Sequence, residues 1–322
     1  MFICNPKLLL FQVKSLFLQT PIKIVALQSE YQQHLSMTYH NNYGGLDAGY
    51  TSLEHSRVVV LPVPYDETST WGKGADKGPE AILEASANME LYDIETNSEI
   101  YKIGIFTAPP VIEKSSPEKM VNAVHRETLK YLNQGKFIVG LGGEHSVTTG
   151  FVRAHAELYK NLTVLQLDAH TDLRPEYEGS PYNHACVMSR VAEICPFVQV
   201  GIRSMDSIEK PFLKQEKLFL AEHIHGRSDW HQKVADQLTE NVFITIDLDV
   251  FDPSIMPSTG TPEPGGMLWY DVIALLRLVA GQRKIVGFDV VELAPSEINK
   301  APDFMASKLI YKLLSYVFQT GR

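Results

Sequence analysis

The chain has 322 residues, 44% hydrophobic and 21% charged, the balance of a globular protein with ample core. Its formal net charge of −9 argues against the basic face of a nucleic-acid binder, and no apolar run is long enough to span a bilayer. Cys4, Cys186 and Cys195 form neither a CxxC pair nor a disulfide framework, which fits a reducing cytoplasm.

Residues 1–29 carry no Asp, Glu or Arg, only Lys7, Lys14 and Lys23 among apolar and amide side chains. Gln12 and Lys14 break the apolar runs, and no clear small-residue cleavage site follows. Residues 1–36 are therefore expected to be a disordered extension, with Met37 an alternative start. Residues 37–322 are expected to form a single domain.

The first strand is expected over 57–63, where Val-Val-Val-Leu meets proline. A Gly-, Thr- and Ser-rich loop follows, and Pro79 opens a helix with apolar periodicity to Met89. A second strand is expected over 101–106. Ser116-Pro117-Glu118 starts a helix that should stop near Gly135. Strands over 137–141 and 162–167 flank a helix that ends near Tyr159. In the second half, a helical stretch runs from His184 to Glu193, with strands over 197–202 and 218–221. A helix over 228–239 leads to a strand over 242–248. Residues 252–267 hold Pro253, Pro257, Pro262 and Pro264 and form a loop. A helix over 269–280 should close at Gly281, a strand spans 284–290, and a helix covers 301–318. Strand and helix alternate throughout. The expected fold is α/β, three-layer α/β/α with a mainly parallel central sheet.

In such sheets ligands bind beyond the carboxyl ends of the strands. The chemistry-bearing residues collect at such ends: His145, then Asp168, His170 and Asp172, then Asp247 and Asp249, then Glu292. In an extended backbone, Asp168, His170 and Asp172 would leave the same face. Such a stretch suits a divalent cation, or else a helix N-terminus capped by an aspartate with His170 incidental. Four aspartates with no Lys or Arg inside their motifs would repel one another unless cations balance them. Oxygen-rich ligands with a minority of imidazole suit Mn²⁺ better than structural zinc. Asp168 and Asp247 are reasonable bridges between two ions, which would activate a water between them.

Gly142-Gly143-Glu144-His145-Ser146, Asp168-Ala169-His170-Thr171-Asp172, Thr245-Ile246-Asp247-Leu248-Asp249 and Asp289-Val290-Val291-Glu292 resemble the motifs of the ureohydrolase (arginase/agmatinase) family. The resemblance covers about residues 55–320 and extends to the loop from Met256 to Gly266, which is similar to that of agmatinases. It implies an arginase-like fold and two Mn²⁺ per chain. One ion would take His145, Asp168, Asp172 and Asp247, and the other Asp168, His170, Asp247 and Asp249. It implies that Glu292 pairs with a guanidinium group and that His184 delivers a proton to the departing amine. Glu144 stands where arginases commonly have aspartate and is expected not to bind metal. Arg174, Glu176 and Glu178 lie where the family holds the substrate's tail. The two glutamates suit the cationic tail of agmatine, whereas Arg174 would either pair with them or hold a carboxylate.

The activity so implied is hydrolysis of agmatine to urea and putrescine, a step of polyamine biosynthesis. Guanidinobutyrase, guanidine hydrolase, formiminoglutamase and arginase are alternatives with the same chemistry. A deacetylase of related fold and a non-catalytic metal-binding paralogue are alternatives of other classes. The expected partners are a small guanidino substrate and further copies of the chain in a trimer or hexamer, with no nucleic acid and no membrane.

Overall fold

The computed structural model describes residues 42–319. The expectation for residues 1–36 lies outside them. Eight strands form one sheet: β1 (Val58–Val63), β2 (Ile105–Thr107), β3 (Phe137–Gly142), β4 (Leu162–Leu167), β5 (Phe197–Ile202), β6 (Leu218–Leu220), β7 (Asn241–Asp247) and β8 (Lys284–Val291). The helices are α1 (Gly78–Ser86), α2 (Pro117–Leu132), α3 (Thr148–Leu158), α4 (Val187–Ala192), α5 (Ala221–Ile224), α6 (Trp230–Asp236), α7 (Trp269–Gln282) and α8 (Ala301–Val317). None is long and apolar enough to cross a membrane.

The sheet is parallel throughout, in the order β2-β1-β3-β8-β7-β4-β5-β6. Sheets of this kind are covered on both faces, so their strands are buried at nearly every position and largely apolar. In β1 and β4 every residue is buried. Alternate β1 residues Val59, Leu61 and Val63 join Val121 and Val124 of α2 and Phe151 of α3 in one cluster. Helices α1, α6, α7 and α8 pack with one another as a second group. Ser116 caps α2 by accepting from Lys119 N at 3.2 Å, and Pro117 follows it in the first turn.

The order explains where a site can form. The chain lays down β1, β2 and β3, then β4, β5 and β6, and returns with β7 and β8 to fill the centre. The four adjacent central strands β3, β8, β7 and β4 are those whose tips carry the candidate residues. Leu167 lies opposite Ile246, and Asp247 opposite Val291, so the ends of β4, β7 and β8 meet at one level.

Three elements differ from expectation. Residues 100–103 form a 3₁₀ turn, and β2 starts only at Ile105. Gly104, at φ 79°, breaks the extended run in a conformation that favours glycine. Gly281 does not close α7, which continues to Gln282 and ends where Arg283 turns extended. The expected helix over 228–239 shortens to α6.

Candidate metal and substrate site

His145 follows β3 through Gly142-Gly143. A side chain on Gly143 would lie 1.9 Å from the Tyr65 carbonyl oxygen, so only glycine lets this turn pass the β1 loop. His145 is then held from two sides. Its N–H donates to Glu292 Oε1 at 2.7 Å, and its Nε2 lies 2.9 Å from Thr245 Oγ1 on β7. The other ring nitrogen, Nδ1, is buried and has no hydrogen-bond partner. It faces Asp168 Oδ2 and Asp172 Oδ2 at 3.1 Å and Asp247 Oδ2 at 3.3 Å.

Asp168, His170 and Asp172 converge with their neighbours, but not by strand alternation. The chain bends at Ala169, and Asp172 takes φ 51°, so a turn rather than an extended face brings the three together. Backbone N–H groups fix the carboxylates. Asp168 Oδ1 accepts from His170 N at 2.6 Å, Asp249 Oδ1 from Ala169 N at 3.0 Å, and Asp247 Oδ1 from Asp249 N at 2.9 Å. Gln166 Nε2 donates to Asp168 Oδ2 at 2.6 Å. The second oxygens of Asp247 and Asp249 point to the histidines. His170 Nδ1 is 2.9 Å from Asp249 Oδ2 and 3.6 Å from Asp168 Oδ1. Its Nε2 is 3.8 Å from Glu263 Oε1, an outer partner that sequence reasoning missed. Two ligand clusters result, His145–Asp168–Asp247 and Asp168–His170–Asp249, with Asp168 in both.

This donor set fits divalent ions. An orphaned imidazole nitrogen facing three carboxylate oxygens at 3.1–3.3 Å is the geometry a cation would complete. The electrostatics agree. Burial, then repulsion from Asp168, pushes Asp172 up to about 7. Burial, then Asp249 and Asp168, drives Asp247 well above the carboxylate range. Burial alone would lower the histidines, yet the surrounding aspartates hold both His145 and His170 well above their usual value. Without ions, this cradle holds protons.

Beside it opens a cavity of about 280 Å³, lined among others by Trp71, Arg174, Tyr177, His184, Asp206 and Glu292. Asn183 N-caps the turn that carries His184, with its side chain accepting from Ala185 N. Burial lowers His184 to about 4. Glu144 is buried and faces away from the ligand clusters, accepting from Thr68 and Ser69 of the loop after β1 and from Ser146.

Of the three residues expected at the substrate's tail, the cavity includes Arg174 but neither Glu176 nor Glu178. Both glutamates are exposed. They flank Tyr177 in a tight turn closed by Tyr177 and Ser180, with Glu178 at φ 49° and Gly179 at φ 78°. Arg174 does not pair with them. Its Nη2 lies 3.1 Å from Asp206 Oδ2 and its Nε 3.9 Å from Glu209 Oε1, with the guanidinium 4.4 Å above the Tyr177 ring. Asp206 and Glu209 went unnoticed in the sequence. Their one local signal is the spacing of a capping box, which they form at the start of the 3₁₀ turn Ser207–Phe212.

The Arginase family pattern matches residues 56–315 of the chain. The N(1)-aminopropylagmatine ureohydrolase of Synechocystis is 39% identical over 283 residues, covering 84% of this chain and 92% of that one. The agmatinase of Pyrococcus horikoshii is 34% identical, covering 81% and 92%. Among solved structures, the agmatine ureohydrolase of Thermoplasma volcanium superposes with a TM-score of 0.78 at 28% identity, covering 88% and 97%. The histidine and aspartate clusters at the centre of the sheet are the family's two-metal site residues, and the chain belongs to the arginase family as one of its ureohydrolases, hydrolases of linear amidines.

Proposed function

We propose that the chain hydrolyses the guanidino group of agmatine to urea and putrescine with two Mn²⁺ bound. The observation that carries this reading is the cradle in which Asp168 belongs to two ligand clusters and His145 Nδ1 has no partner but carboxylates. His145, Asp168, Asp172 and Asp247 would hold one ion, and Asp168, His170, Asp247 and Asp249 the other. When bound, the pair supplies an activated water as nucleophile at neutral pH.

The chain's own residues do the rest. Glu292 Oε1 already accepts from His145 N, which leaves Oε2 and one lone pair of Oε1 to grip the guanidinium. His184, neutral at pH 7, takes the proton released as water attacks the guanidinium carbon and returns it to the departing amine, which leaves poorly as an anion. Arg174 is occupied by Asp206 and Glu209, and this supports a tail without a carboxylate. Cys186 and Cys195, both free thiols, suit a reducing cytoplasm. Self-association into a trimer or hexamer belongs to the same reading, supported by the exposed Met205, Ile208 and Phe212 around one turn, and light scattering tests it.

A second reading is a longer substrate, N(1)-aminopropylagmatine. Three relatives of that name are 39–42% identical to the chain, while a fourth, at 34%, is level with the Pyrococcus agmatinase. Trp71, 82% exposed at the cavity mouth, offers a ring for a second ammonium. Urea release by the Mn²⁺-loaded chain from agmatine, N(1)-aminopropylagmatine, arginine and 4-guanidinobutyrate decides. A higher kcat/KM for either of the first two is expected. A preference for arginine or guanidinobutyrate overturns the substrate assignment, and no urea from any of them overturns the reading.

A further inference from the structure

Thr68 lies in the loop between β1 and α1 and is buried. The loop is tied down at both ends. Asp66 accepts from the Ser69 hydroxyl and from Gly74 N at 2.7 Å and Ala75 N at 3.2 Å. Glu144 accepts from Thr68 N, Thr68 Oγ1, Ser69 N at 3.0 Å and Ser146 Oγ at 2.6 Å. Four donors on one carboxylate leave it an acceptor, with no hydrogen to return. The single hydroxyl proton of Thr68 is thereby committed to Glu144 Oε1.

A hydroxyl in that state has only lone pairs to offer. Thr68 Oγ1 accepts from the His184 backbone N–H at 3.0 Å and lies 3.4 Å from His184 Nδ1. Two hydrogen-accepting atoms in contact would repel, so Nδ1 must carry the ring's hydrogen. Neutral His184 is then the Nδ1–H tautomer, and its lone pair sits on Nε2, across the ring from Thr68.

We propose that Thr68, anchored by Glu144, is a positioning residue that fixes the His184 tautomer and makes Nε2 the nitrogen that exchanges a proton with the substrate. Thr68 acts through His184 and does not line the cavity, whereas its neighbours Ser69 to Gly72 do. The catalytic part of this inference rests on the proton-handling role given to His184 above. The tautomer does not.

Nitrogen NMR of ¹⁵N-histidine-labelled, full-length protein loaded with diamagnetic Zn²⁺ reads the tautomer directly, with His184 assigned by its loss in His184→Gln. Nδ1–H is expected in the wild type, and an Nε2–H tautomer overturns the proposal. Thr68→Val removes the acceptor. It is expected to mix the tautomers and to lower kcat of the Mn²⁺ enzyme roughly 10–100-fold while sparing KM and metal content. Thr68→Ser should restore kcat to within about threefold. An unchanged tautomer and kcat in Thr68→Val, or Thr68→Ser as impaired as Thr68→Val, overturns it. If Thr68→Val fails to fold, the wild-type spectrum and Thr68→Ser still decide. If the wild type releases no urea from any guanidino compound, the functional reading fails while the spectrum still tests Thr68.

Discussion

Arg203 is not one of the clustered histidines and aspartates, yet its loss should disturb the site, because it holds the backbone of Asp249. Its guanidinium donates to Asp249 O at 2.6 Å, Glu263 O at 2.9 Å and Gly201 O at 3.0 Å, with longer contacts to Pro264, Val250 and Phe251. Its backbone N–H donates to Ala169 O at 2.8 Å. One residue thus knots the ends of β4, β5 and β7 to the Pro-rich loop. Hydrogen bonds to a charged group are worth about 1.5 kcal/mol or more each, so the three shortest sum to about 4–5 kcal/mol. Arg203→Met should cost about that much, a fall in Tm of about 10 °C for a domain of this size. Lysine has three donors on one atom and cannot span the same carbonyls, so Arg203→Lys should recover less than half. Calorimetry is the assay of choice, because guanidinium and urea resemble the substrate and product. Metal content should fall alongside, since Asp249 loses its support. A Met variant within about 1 kcal/mol of wild type would refute the reasoning.

Three further outcomes follow from the same geometry. Without ions, the raised Asp172 keeps its proton in the folded state up to about pH 7, whereas the unfolded chain releases it near 4, so metal-free stability is lost as pH rises through that window. The Tm gain from metal should therefore grow between pH 5 and pH 8, and a pH-independent gain in calorimetry of loaded against chelator-treated protein would contradict this. Glu292→Gln keeps an oxygen for His145 N–H, so two ions should remain while activity falls at least about 100-fold; metal loss would make Glu292 a ligand. Asp168→Ala should lose both ions by elemental analysis, because Asp168 belongs to both clusters, and retention of one ion would end its bridging role.

All eight strands were legible in the sequence as short, largely apolar runs, because a sheet covered on both faces buries most of its strand residues. The exception in detail was the edge strand β2, where Gly104 ends a 3₁₀ turn that looks extended in composition. Strand order was not legible. Nothing local to β7 and β8 says that they enter between β3 and β4. The meeting of His145, Asp168, His170, Asp247 and Asp249 was legible without that order, because in a parallel sheet every strand delivers its last residues to the same edge.

The surroundings of the ligands were harder to read, for a physical reason. Thr68 and Glu144 are 76 residues apart and Arg174 and Asp206 are 32 apart, so no spacing rule links them. The acceptors of Arg203 are backbone carbonyls, which have no sequence signature. The two shells also differ in what holds them. Asp168, Asp247 and Asp249 each have an oxygen fixed by a backbone N–H, which no side-chain substitution removes. The outer cavity also relies on side-chain pairs, such as Arg174 with Asp206, in which either member can be exchanged. The ligand clusters are therefore tied to the fold, while the outer cavity depends more on exchangeable side chains. That asymmetry is why the family and its chemistry follow from the motifs, and why the guanidino compound must be found by assay.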